Sequence, residues 1–175
     1  YALLVGVTGL AMFATHGALY LALKTEGETR ETARAWAAEA RRVYIVLFLP
    51  TAFWSLMFQQ RGSVLLPLTA SGVALASIVG IGLMQKADKT WQAFLLSSIS
   101  ILALLVAAGA TLYPNLVPAL NDPALSLTLV NSSASHKSLL VMLIVAGLGM
   151  PVVIGYTIFI YRTFAGPVEV DGDDH

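Results

Sequence analysis

One titratable side chain, His16, falls inside a long apolar run, and the chemistry open to this chain starts there. An imidazole in hydrocarbon has three readings. It stays neutral and hydrogen-bonds a neighbouring helix. It touches the head of a bound quinone or lipid. It ligates a haem iron. His16 stands seven residues before Leu23, roughly 10 Å from the end of its run at 1.5 Å per residue. A bis-histidine site needs a second histidine at that depth. His136 falls on the other side of the membrane and His175 lies in the tail, so this chain does not make such a pair alone. Met12, Met57, Met84, Met142 and Met150 are axial ligands in principle, but methionine in an apolar helix is far more often filler.

The remaining residue types exclude more than they offer. All ten acids lie in loops or tails: Glu26, Glu28, Glu31, Glu39, Asp88, Asp122, Glu169, Asp171, Asp173 and Asp174. Pumps, channels and transporters place ionisable groups at depth despite the cost, so a proton relay or ion site of that kind is not expected here. The chain has no cysteine, which excludes thiolate-bound zinc, iron–sulfur clusters and disulfides. It has no phosphate-binding glycine loop, no HExxH and no nucleophile paired with a base. Net charge is zero, with no sign of nucleic-acid binding.

The elements that carry these residues follow from hydropathy. Of 175 residues 57% are hydrophobic and 11% charged, with mean hydropathy +0.77. A soluble domain carries about a quarter charged residues. The expectation is an all-α membrane protein with about five transmembrane helices, a single domain over residues 1–175. The spans run about 1–23, 43–60, 64–85, 91–112 and 138–161. Each is near the ~20 residues needed to cross a ~30 Å hydrocarbon layer. Tyr1 already stands within an apolar run, which reads as a piece of a longer chain.

The stretch from Lys24 to Arg42 holds nine of the twenty charged residues. Placing it in the cytoplasm puts Lys24, Arg30, Arg34, Arg41, Arg42, Lys86, Lys89 and Arg162 inside and only Arg61 and Lys137 outside. That asymmetry favours five spans with a cytoplasmic C-terminus. Thr25 and Glu28 have capping-box spacing, and ETARAWAAEARR has good helix propensity. The segment is either an extension of the next helix or a contact surface for a partner, with Trp36 at headgroup level. Pro50 is expected to kink the second span. Gly72, Gly80 and Gly82, beside Ala70, Ser71, Ala74, Ala76 and Ser77, suit the third span for close packing. The outer loop from Tyr113 to Lys137 carries Pro114, Pro118 and Pro123, which prevent regular helix in its first half. It is a lid or a plain connector. Asn131-Ser132-Ser133 matches a glycosylation acceptor only weakly. Ser133 or Ser135 can cap the last span.

Several of these stretches together resemble subunit II of cytochrome bd-type quinol oxidases. They are His16-Gly17-Ala18 through Leu23-Lys24-Thr25-Glu26-Gly27-Glu28, then Tyr113-Pro114 with Ser126-Leu127-Thr128, Asn131 and Ser133-Ala134-Ser135-His136. Met142, Pro151 and Tyr156-Thr157 leading to Tyr161-Arg162 complete the set. The resemblance covers nearly the whole chain and corresponds to the C-terminal half of that subunit.

The resemblance implies a four-helix bundle plus one further helix. It implies a part in a respiratory terminal oxidase that oxidises a membrane quinol, reduces dioxygen to water and contributes to the proton gradient. The b- and d-type haems belong to subunit I. This chain is expected to hold no cofactor or catalytic residue of its own, apart from a possible bound quinone or lipid. Its expected partners are the haem-bearing subunit I, the N-terminal half of its own subunit, small accessory subunits, membrane lipid and quinol. Its expected place is a bacterial or archaeal cytoplasmic membrane. Structural or interface roles are expected for His16, Glu26 and Glu28 near the inner face, and for Asn131 and His136 in the outer loop. The rival reading is half of a secondary transporter, which broken mid-membrane helices and buried polar groups would favour. A third, a haem-anchoring dehydrogenase subunit, needs a ligand pair that three histidines do not supply.

Overall fold

Backbone groups in lipid must be paired within the segment, so long apolar runs become helices. A computed structural model describes residues 1–58, 63–117, 119 and 123–164. The expected end of the second span at Gln60, and Arg61, Pro118, Asp122 and the acidic tail from Glu169 to His175, lie outside the described residues.

Five α-helices are present among the described residues: α1 (Ala2–Lys24), α2 (Gly27–Phe58), α3 (Leu65–Lys86), α4 (Thr90–Leu112) and α5 (His136–Thr163). Four of them, α1, α3, α4 and α5, are long and apolar enough to cross a membrane. The fifth, α2, has 32 residues, about 48 Å at 1.5 Å per residue. Its first half is the charged segment and its second half is the expected second span. The charged stretch is thus the extension of the next helix, and α2 continues through Pro50. The extension begins with a sharp turn at Gly27, whose φ of 59° is left-handed and suits a residue without Cβ. Thr25 does not form the expected capping box. Its hydroxyl donates to the Leu21 carbonyl at 2.8 Å, closing the last turn of α1 instead.

Two compact units divide the chain, one based on Tyr1–Pro114 and the other on Asn115–Gly166. In the first, α1 packs along α2 and α3 along α4, and the α2–α3 and α1–α4 contacts close a four-helix ring. Its interior interleaves small and large residues, with Ala11, Met12, Tyr44, Phe48, Ala74, Ile78 and Ala103 in one cluster and Leu19, Ala37, Ile81 and Ala93 in another. Small side chains let helix backbones approach, which matters where lipid is as apolar as the core. On α3 the inward face is Pro67, Ala70, Ala74, Ser77, Ile78, Ile81 and Gly82. Gly80 is also a close approach, since a Cβ there would stand 2.9 Å from Leu96 Cδ1. Gly72 and Ala76 face outward, so only part of the small-residue set serves the packing within this unit.

The second unit holds an element that the sequence did not suggest. Strands β1 (Asn115–Val117) and β2 (Leu127–Thr128) pair antiparallel, with a short 3-10 turn at Pro123–Leu125 between them. Ser135 caps α5, its hydroxyl accepting from the Ser138 N–H at 3.3 Å. No residue of α5 is buried.

Candidate functional site: a hydroxyl seam and an arginine clasp

In an apolar bundle the polar side chains stand out, because each needs a partner. On α4, Ser97 and Ser100 stand one turn apart and face inward. Ser97 Oγ meets His16 Nδ1 of α1 at 2.7 Å. Ser100 Oγ meets the Tyr44 hydroxyl of α2 at 2.9 Å, a bond that crosses the bundle interior. Thr8 of α1 and Thr51 of α2 join their hydroxyls at 2.8 Å. The serine and threonine hydroxyls also reach carbonyls of their own helices, Ser97 to Phe94 at 2.6 Å and Thr51 to Leu47 at 2.7 Å. Such back-bonding satisfies a hydroxyl where no water is present.

The His16 ring stacks on Phe94, with centroids 4.6 Å apart and planes at 26°. Tyr20 and Trp91 pack against the same Phe94 ring, at 5.9 Å and 6.0 Å. His16 is therefore held by one hydrogen bond and an aromatic face, both from α4. Of its three readings, the interhelical hydrogen bond is the one whose partner lies within this chain. Met12 is buried in the core of the same bundle. Among the described residues no group of three or more His, Asp or Glu side chains gathers as a metal site would require.

At the charged end, the turn between α3 and α4 sets a carboxylate in place. Asp88 has φ 56°. The Lys89 N–H bonds the Met84 carbonyl and the Asp88 N–H bonds the Gln85 carbonyl. This is a Schellman turn with Asp88 at its left-handed position, usually taken by glycine. An aspartate there keeps a side chain that glycine lacks. Arg34 donates to Asp88 Oδ1 and, through Nη2, to the Gln85 carbonyl at 3.2 Å. Arg30 adds a longer contact to Asp88 at 3.8 Å. The extension of α2 is thus clasped onto the end of α3 by arginines one turn apart. Sequence reasoning passed over Asp88; a lone acid in a three-residue helix–helix turn was the available signal.

Within the first unit, Glu26 and Glu28 stand apart from His16. Glu26 and Glu28 are exposed, Glu26 in the α1–α2 turn and Glu28 in the first turn of α2. In the second unit, Asn131 ties its loop together. Its Oδ1 accepts from the Thr128 N–H at 2.7 Å and its Nδ2 donates to the Ser126 carbonyl at 2.9 Å. His136 is the exposed first residue of α5.

Residues 1–164 match the family described as cytochrome bd terminal oxidase subunit II. A probable cytochrome oxidase subunit 2 of Haemophilus influenzae is 24% identical over 203 residues, covering 98% of this chain and 53% of the relative. Cytochrome bd-I ubiquinol oxidase subunit 2 of Escherichia coli K12 is 26% identical over 96% of this chain and 52% of its own. Cytochrome bd ubiquinol oxidase subunit 2 of Bacillus subtilis is 29% identical over 94% of this chain and 49% of its own. The chain spans about half the length of the curated relatives it matches. With the match running from the first residue through the last described helix, the chain belongs to the cytochrome bd terminal oxidase subunit II family.

Proposed function

We propose that the chain is the C-terminal half of a haem-free subunit II and supports the haem-bearing subunit I of a quinol:oxygen oxidoreductase. The family match over residues 1–164 carries this reading. The seam in the bundle supports it, since His16 is already engaged by Ser97 and Phe94. The reaction proposed for the whole complex is quinol oxidation coupled to reduction of dioxygen to water, contributing to the proton gradient. The complex is tested by purifying it with native partners in mild detergent and recording a reduced-minus-oxidised spectrum. Bands of b- and d-type haem that co-purify, and are lost when this chain is expressed alone, are the expected result. Absence of haem from the purified complex overturns the reading.

The charged end of the bundle is proposed to face the cytoplasm, following the bias of Lys and Arg. The absence of cysteine makes this easy to check. In intact cells, a membrane-impermeant maleimide is expected to label a Ser133→Cys variant and to spare Glu39→Cys. The reverse pattern inverts the topology.

His16 is proposed to be structural. His16→Gln, which keeps a polar side chain near Ser97, is expected to lower complex yield and quinol oxidation together. A variant with normal yield and haem content but no quinol oxidation sinks that role.

A further inference from the structure

Beside the clasp, α2 and α3 leave an open groove of about 380 Å³. Its lining includes Arg34, Arg41, Arg42, Gln85 and Lys86, with Glu31 as its one acid. The basic residues are not equivalent. Arg34 is taken by Asp88 and Glu31, and Arg42 by Glu39. Among the described residues no carboxylate pairs with Arg41 or Lys86. The Arg41 guanidinium lies over Gly82, where an added Cβ would stand 2.8 Å from its Cζ. Arg41 Nε is covered and without a hydrogen-bond partner. Gln85 Oε1 is covered and unpartnered as well, but as an acceptor it takes a donor and not an anion. Covering part of a cation without a counter-charge is costly, so this wall of the groove calls for an anion. Glycine at position 82 is what lets the guanidinium lie there.

The level of the groove says which anion. Arg41 and Arg42 directly precede the apolar half of α2, and Gln85 and Lys86 close the apolar run of α3. The groove therefore sits where hydrocarbon gives way to headgroups. A guanidinium binds phosphate oxygens through paired N–H donors, with a lysine nearby as a point charge. Basic pockets between membrane helices at this level suit acidic lipid heads.

We propose that this groove binds the phosphodiester headgroup of an anionic phospholipid, with Arg41 as the central contact and Lys86 as a second cation. The site depends only on the chain crossing a membrane, and not on which reaction its complex performs.

The test uses the purified complex in nanodiscs of phosphatidylcholine alone or with phosphatidylglycerol. Retained lipid is read by native mass spectrometry and stability by the thermal inactivation midpoint. Phosphatidylglycerol is expected to be retained and to raise the midpoint of the wild type. Arg41→Gln is expected to weaken retention about fivefold, the factor set by one basic residue at an anionic surface. Lys86→Gln, at an exposed position, is expected to weaken it in the same direction and does not depend on the bundle tolerating a change inside. Gly82→Val keeps every charge and is expected to weaken retention by displacing the guanidinium. Equal retention in wild type, Arg41→Gln and Lys86→Gln overturns the proposal. An equal rise in midpoint from inorganic phosphate alone overturns the lipid as the source of the anion.

Discussion

Tyr44→Ala is expected to cost the bundle about 3–5 kcal/mol, the range for deleting a large buried aromatic side chain. Tyr44 is 1% exposed, its ring stands edge-on to Phe48 at 6.1 Å, and its hydroxyl reaches Ser100 on the far side of the interior. Alanine leaves a gap in a cluster where Ala11, Ala74 and Ala103 have no side-chain length to fill it, beside Met12, Phe48 and Ile78. It also leaves Ser100 without its interhelical partner. The two effects separate with Tyr44→Phe, which keeps the ring and removes the hydroxyl. An interhelical hydrogen bond in a membrane averages about 0.6 kcal/mol, so Phe is expected to cost a small fraction of what Ala costs. Thermal inactivation of the detergent-purified complex reads both. If Phe is as damaging as Ala, the hydroxyl matters for more than cohesion, and ring volume is not what holds α2 to α4.

This asymmetry also explains why Tyr44 could not be singled out beforehand. The helices themselves were legible, because runs of about twenty apolar residues leave little choice in lipid. The Ser135 cap and the helical nature of the charged segment were legible for local reasons. Inward faces were not. In a helix apolar all round, the periodicity that marks the core of a soluble protein is weak. Ser97, Ser98 and Ser100 read alike, yet only Ser97 and Ser100 are buried. The β1–β2 ribbon was hidden for another reason. It has a two-residue strand and depends on Asn131 bonding to Ser126 and Thr128, with no alternating run to announce it. Thr25 shows the limit of spacing alone: Thr25 and Glu28 fit a capping box, but the nearer carbonyl of Leu21 takes the hydroxyl. His16 was recognised as the notable residue in its span, while its partner Ser97 was one serine among several. The clasp followed the same pattern, with Arg30 and Arg34 visible as charge and Asp88 visible only once the turn had folded.

The small residues of α3 permit a sharper test of what the bundle is packed against. Ala74 is fully buried against α2 and α4 residues, and Ala74→Leu is expected to cost about 1–3 kcal/mol by overpacking. Leucine is a good helix former, so intrinsic propensity does not oppose the change; lack of space does. Gly72 lies on the same helix two residues earlier, and a Cβ there meets nothing within 4 Å. Gly72→Leu is therefore expected to leave the bundle itself within about 0.5 kcal/mol of the wild type. The pair is read by two measurements on the same preparations, the thermal inactivation midpoint and the yield of assembled complex. Ala74→Leu is expected to lower both, because a bundle that cannot close cannot be assembled. Gly72→Leu is expected to keep the midpoint of whatever complex forms. A loss of yield with that midpoint intact shows that the outer face of α3 meets another part of the complex, where glycine permits close approach as Gly80 does toward Leu96. If Ala74→Leu is tolerated without loss, α3 is not tightly packed at that face, and the small residues of that helix serve something other than bundle closure.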